Sequence, residues 1–222
     1  MNTRNLTVVT AVVVALALVG IIVYSRFQPR ADPAITTPTA ATGELDYENQ
    51  PALGAADAPV KLAVFEDFKC PACKFFDDNV FPQLERDYID SGRARLSFVN
   101  FPFIGPDSTT AAIASECAYH QNEAAFWEYK AILYRAQGPE RDQWATPERL
   151  EELAQNVGDL DAAELRACTD ERRYADAVTS DLDMAQAVGV NSTPSLFVNG
   201  TKLENANDYA AVKEAIDAAL GN

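Results

Sequence analysis

Apolar positions change their spacing along the chain in a way that divides it into three parts. Leu6 to Tyr24 is apolar without a charge, long enough to cross a hydrocarbon layer as a helix. Residues 1–27 are therefore expected to be a retained single-pass transmembrane anchor, although Val23-Tyr24-Ser25 would also pass as a cleavage site. Arg4 precedes the span and Arg26 and Arg30 follow it, so flanking charge leaves orientation open. From 28 to 52, prolines at 29, 33, 38 and 51 stand among Ala and Thr, the pattern of an extended, flexible linker. Regular periodicity begins near Leu53 and continues to the end, marking a domain over 53–222.

Within that domain Val60–Phe65 is apolar and β-branched, a buried strand. Phe75 to Leu84 then shows helical spacing, continued to about Asp90 before Ser91-Gly92 breaks it. Ala94–Phe101 alternates as a second strand, so the three elements form a βαβ unit with parallel strands. A helical insertion is expected at about 106–188. It comprises a long helix from Ser108 to Ala136, one opened by Thr146-Pro147-Glu148, one opened by the capping box Asp161-Ala162-Ala163-Glu164, and one from Tyr174 to Val188. Leu196–Val198 and Lys202–Leu203 flank Asn199-Gly200, a hairpin signal, and Asp208 to Leu220 is a final amphipathic helix.

Composition narrows the function. A hydrophobic share of 48% supports a full core, and the net charge of −15 with no Lys/Arg cluster argues against nucleic acid as a partner. Neither a Walker-type loop nor GxGxxG is present, so no nucleotide cofactor is expected.

Chemistry concentrates at Cys70-Pro71-Ala72-Cys73, where the first strand meets a helix N-terminus. Unpaired backbone N–H groups and the positive helix end favour a thiolate at the first cysteine. Pro71 suits the first helical turn because it has no N–H and a preset φ. Three readings compete. A redox-active dithiol fits this context. A zinc centre needs about four ligands, but the chain has one histidine, His120, and its other cysteines, Cys117 and Cys168, are far apart. A purely structural bridge across so short a loop removes little unfolded-state entropy. His120 reads as a helix-surface residue, and Phe75, Phe76, Phe101, Phe103 and Trp127 as core, some of them able to rim a peptide groove.

A Cys-Pro-x-Cys turn after a strand, a helical insertion, Thr193-Pro194 before a strand, Asn-Gly and a final helix resemble the thioredoxin-like superfamily. Among its branches the chain is similar to the DsbA-like exported thiol–disulfide oxidoreductases. The resemblance implies an α/β thioredoxin-like fold, Cys70 as exposed nucleophile, Cys73 as its buried partner, and a cis Thr193–Pro194 bond beside them that binds substrate. Pairing of Cys70 with Cys73 leaves Cys117 and Cys168 for a structural disulfide, with two buried free thiols as the other possibility; similar bridges occur in relatives' insertions. Relatives commonly carry a buried acid six positions before the first cysteine, where this chain has Val64. Glu66 has the same strand parity and could substitute, but Glu66 and Asp67 read first as surface charges. Lys69 and Lys74 flank the pair and would modestly favour a thiolate.

The resulting expectation is an oxidoreductase on the outer side of a cell membrane that introduces disulfides into exported cysteine-containing polypeptides. The resemblance implies reoxidation by a membrane quinone-linked partner of the DsbB or VKOR kind. The chain is expected to act as a monomer, without cofactor or metal. The rivals are an isomerase or a reductase, including one for cytochrome maturation, and a peptide-binding chaperone whose cysteine pair is not catalytic.

Overall fold

The computed structural model describes residues 44–221. The apolar segment Leu6–Tyr24 and most of the 28–52 linker lie outside them. Among the described residues no helix is long and apolar enough to cross a membrane.

Among the described residues the sheet has five strands: β1 (Ala52–Leu53), β2 (Val60–Glu66), β3 (Ala94–Asn100), β4 (Ser195–Val198) and β5 (Thr201–Lys202), in the order β1-β3-β2-β4-β5. β2 and β3 run parallel, Val60 opposite Ala94 and Glu66 opposite Asn100, as the βαβ reading requires. β4 returns antiparallel to β2, with Ser195 opposite Phe65. Asn199 and Gly200 both take positive φ, 46° and 82°, and close the β4–β5 hairpin.

Alternation along β2 sends Val60, Leu62 and Val64 to one face and Ala63 and Phe65 to the other. On the first face lie α1 (Pro71–Asn79), α3 (Pro106–Gln121), α4 (Glu123–Arg135) and α8 (Tyr209–Leu220). The second is covered by α7 (Ala175–Ala187), through Met184 and Ala185, and by the strap Leu45–Tyr47. The folded chain therefore takes in residues just before Leu53. Gln50, between the strap and β1, is buried and donates to Asp181 Oδ1 at 2.7 Å. The strap enters beside Lys61, Asn199 and Gly200, at the end of the sheet remote from the carboxyl end of β2.

Two expected helices are divided. Val80 ends α1, and Phe81–Leu84 (α2) restarts with Pro82 in its first turn before a π-helical stretch, Glu85–Ile89. Pro82 has no N–H to give the carbonyl one turn back, so the ladder breaks there. The region Ser108–Ala136 divides at Asn122, which leaves helical geometry and whose side chain accepts from Ala124 N and Ala125 N at 2.9 and 3.2 Å. α5 (Pro147–Ala154) and α6 (Ala162–Asp170) start at Thr146 and Asp161, each side chain capping its own helix.

Cys117 of α3 and Cys168 of α6 form a disulfide inside the insertion, 51 residues apart in sequence. In the chain-entropy account a loop of that size restricts the unfolded chain by ~4 kcal/mol. Replacing both cysteines by alanine is expected to lower the unfolding free energy by about that amount, read from urea denaturation with the fold otherwise retained.

Candidate active site

Cys70 is the N-cap of α1, with extended backbone (φ −74°, ψ 118°), and no side chain caps the helix. Cys73 N and Lys74 N donate to Cys70 O, each at 3.1 Å, and the positive end of the helix lies at the Cys70 sulfur. Pro71 holds the first helical position as expected. Ala72 is half-buried, and its carbonyl accepts from Asn207 Nδ2 at 3.2 Å. Both thiols are free in this structure.

The two sulfurs live in different surroundings. Cys73 is 0% exposed and packs in the core, whereas Cys70 keeps 7% of its surface. Cys70 is therefore less open than the resemblance implied. Its thiol is lowered from 9.0 to about 6, first by the hydrogen bond from Cys73, against the cost of burial, then by Thr193 and the backbone N–H groups of Cys73 and Ala72. Burial pushes the Cys73 thiol well above 9.0, and the bond to Cys70 and the nearby Glu66 and Cys70 charges push the same way. Cys73 thus holds its proton while Cys70 releases its own.

The Thr193–Pro194 bond is cis. Cys70 Sγ lies 3.5 Å from Thr193 O, which brings this loop against the dithiol turn across 123 residues of sequence.

Glu66 and Asp67 are not surface charges; each is 1% exposed. Glu66 shares the β2 face of Leu62 and Val64, so its side chain enters the core, where the Tyr134 hydroxyl donates to Oε2 and Oε1 is left without a partner. Burial raises its carboxyl to about 7, with Lys130 opposing and Asp77 adding to the rise. Lys130 Nζ pairs with Asp77 Oδ1 at 2.5 Å. Burial disfavours the ammonium, but Glu66 and Asp77 outweigh it and hold Lys130 above the ordinary lysine value. Asp77 lies one turn after Cys73 on the same buried face of α1, a signal present in the sequence as a charge at i+4 from a core cysteine. Nothing local in the sequence marks Lys130 or Tyr134, which arrive from the insertion.

Asp67 acts on backbone. Its Oδ1 accepts from Lys69 N at 2.8 Å and its Oδ2 from Phe103 N and Ile104 N at 3.0 and 3.1 Å. Lys69 is itself buried, paired with Asp107 at 2.7 Å, and Lys74 donates to Tyr134 O at 2.8 Å. Both flanking lysines are therefore structural, and neither is what makes Cys70 acidic. Phe76 is core and Phe101 and Trp127 are half-buried, but Phe75 and Phe103 are 50% and 51% exposed. His120 lies at the surface, stacked on Tyr174 at 3.9 Å and away from the dithiol. Among the described residues no group of three or more His, Cys, Asp or Glu is arranged to hold a metal.

An acidic sulfur, a buried proton-retaining partner and a cis-proline loop against them make a unit suited to thiol–disulfide exchange. Comparison with known proteins agrees. Residues 46–218 match the family model described as "Thioredoxin". The chain is 35% identical over 181 residues to disulfide bond formation protein D of Bacillus subtilis (strain 168), covering 82% of each. It is 36% identical to the probable disulfide bond formation protein D of Bacillus anthracis, covering 94% of this chain and 92% of that one. The crystal structure of oxidised BdbD from Bacillus subtilis superimposes with a TM-score of 0.79 at 35% identity, over 82% of this chain and 99% of that one. The chain belongs to the thioredoxin-like family and, within it, to the DsbA-like protein thiol–disulfide oxidoreductases.

Proposed function

We propose that this protein is a membrane-tethered, extracytoplasmic oxidant that introduces disulfides into exported polypeptides through Cys70 and Cys73. The observation that carries the reading is the contrast between the two sulfurs of one turn, one acidic and reachable, the other shielded and protonated. In the oxidised protein they form a disulfide. A substrate thiolate attacks Cys70 Sγ, the Cys70–Cys73 bond breaks, and Cys73 leaves with the electron pair and takes up a proton. Glu66, with a carboxyl near neutrality and a free oxygen, is the group placed to supply it. A second substrate thiolate then attacks the substrate sulfur of the mixed disulfide and releases Cys70 as a thiolate, a good leaving group because it is acidic. The substrate loses two electrons and the protein gains them. A quinone-linked membrane disulfide carrier of the DsbB or VKOR kind would take them on and restore the pair, while Thr193 and Pro194 line the place where the substrate chain lies.

The high acidity of the product thiol also sets direction. A stabilised Cys70 thiolate favours the reduced protein and so the donation of disulfides, whereas an isomerase or reductase would keep a more reducing pair. Equilibration with glutathione is expected to place the pair well above thioredoxin's roughly −270 mV. Cys70→Ser should abolish oxidation of a reduced, unfolded substrate. Cys73→Ser, first charged with glutathione disulfide to a Cys70–glutathione mixed disulfide, should exchange with a single-cysteine substrate thiolate, release glutathione and accumulate a Cys70–substrate mixed disulfide, visible by mass spectrometry. No oxidation by the wild type, with suppression of substrate aggregation undiminished in Cys70→Ser, would instead make the protein a peptide-binding chaperone.

The lowered Cys70 thiol is a stability statement for the reduced protein. Its folded value, about 6, lies below the ordinary 9.0, so its contribution is fully present above pH 9 and lost as pH falls through about 6. The thousandfold gain in acidity is worth at most about 4 kcal/mol, less for the side of the sulfur open to water. The stability of reduced protein relative to Cys70→Ala should rise across that window in urea melts at a series of pH values; a flat difference would refute the assignment.

Glu66 behaves with the opposite sign. A folded value of about 7 against an ordinary 4.5 gives a contribution present below pH 4.5 and lost as pH rises through about 7. Glu66→Gln should remove that loss and slow reduction of the Cys70–Cys73 disulfide by small thiols about tenfold or more near neutrality, measured by stopped-flow tryptophan fluorescence.

A further inference from the structure

The helical insertion does more than cover the sheet: the connection between α4 and α5 clasps the dithiol turn at both ends. At one end Gln137 Nε2 donates to Phe68 O at 2.7 Å and to Cys70 O at 3.1 Å. Two carbonyls can only accept, so the amide must present its NH2 group to them. The contact is reciprocated by Lys74 of α1, whose Nζ donates to Tyr134 O at the end of α4. At the other end Ala145 N donates to Asp107 Oδ2 at 3.3 Å, and Asp107 Oδ1 holds the buried Lys69 immediately before Cys70. Between them Gly138 passes so close to Trp144 that an added Cβ would meet its ring at 2.8 Å.

The oxygen of Cys70 is overloaded. Cys73 N and Lys74 N both donate to it at 3.1 Å as the first bonds of α1, and Gln137 Nε2 makes a third donor at 3.1 Å. A carbonyl oxygen has two lone pairs. That N–H makes no cap bond to the thiol, but it belongs to the third helical residue, whose N–H an N-cap side chain ordinarily takes, and it favours charge on the Cys70 sulfur, so oxygen and sulfur of one residue compete for one proton. A third donor on the oxygen weakens its hold on the Cys73 N–H and releases that N–H toward the sulfur.

We infer that Gln137 is a positioning residue for the dithiol: by occupying the Cys70 carbonyl it directs the Cys73 N–H onto the Cys70 thiolate and so raises the oxidising power of the pair. It touches neither sulfur nor substrate and acts through the N-cap peptide. The inference rests on the redox reading of Cys70 and Cys73, and the two fail differently.

The test uses the full chain in detergent, as wild type, Gln137→Met (similar volume, no donor) and Gln137→Glu (an acceptor facing two carbonyls). Two quantities are read in folded protein. One is the pH dependence of the Cys70 thiolate absorbance at 240 nm. The other is the equilibrium with glutathione, in which two glutathione thiols become one glutathione disulfide as the Cys70–Cys73 bond becomes two thiols. Gln137→Met is expected to raise the Cys70 titration midpoint and to shift the glutathione equilibrium about three- to tenfold toward the oxidised protein, in step with the thiolate fraction. Gln137→Glu is expected to shift both further in the same direction. Both values unchanged in both variants, with thermal stability alone lowered, would make Gln137 a structural clip and overturn the inference. A wild-type Cys70 that titrates as an ordinary thiol and does not exchange with glutathione would sink the redox reading itself. Should Gln137→Met not fold, Gln137→Glu alone carries the same two readouts.

Discussion

Everything at this site depends on a difference in solvation between two sulfur atoms of one helical turn. The N-terminus of α1 is uncapped by any side chain, and its positive end, with the N–H groups of Ala72 and Cys73, stabilises charge on the Cys70 sulfur. One turn further the chain is inside the core, and charge on Cys73 is not tolerated. The strand-to-helix junction creates that gradient, because β2 delivers the turn at its carboxyl end and α1 must pack its next turn against the sheet. Glu66, Lys130, Asp77 and Tyr134 then surround the shielded end with ionisable groups that a purely apolar core would not contain.

Much of this was legible in the sequence. The alternation in Val60–Phe65 and Ala94–Phe101, the Asn-Gly hairpin and the cap signals at Thr146 and Asp161 all state local preferences that the fold keeps. The dithiol turn and the Thr193-Pro194 pair were legible for a related reason: each is a short string whose chemistry demands its residues. The breaks at Val80 and Asn122 were also written there, in Pro82 and in an asparagine between two helical runs, but apolar periodicity passes smoothly over both and hides them.

What the sequence conceals is depth. A carboxylate at a strand end reads as solvated by default, and only the arrival of Tyr134 and Lys130 from α4 shows that Glu66 lies inside. Parity with Val64 was the clue, yet parity gives a face and not how far that face is covered. Lys69 misleads in the same way, since its partner Asp107 stands 38 residues away at the start of α3. Gln137 carries no sequence signal at all, as a polar residue after a helix is ordinary. Residues of the insertion thus complete a site whose motif lies wholly outside it.

The strap Leu45–Tyr47 meets the sheet beside Lys61 and the β4–β5 turn, and the dithiol lies past the other end of β2, a strand of seven residues and so about 20 Å long. The strap and the dithiol turn are therefore at opposite ends of β2. Attachment through the amino side of the strap, to a bead, an electrode or a fused carrier, would turn the Cys70 sulfur outward, away from whatever holds the protein in place.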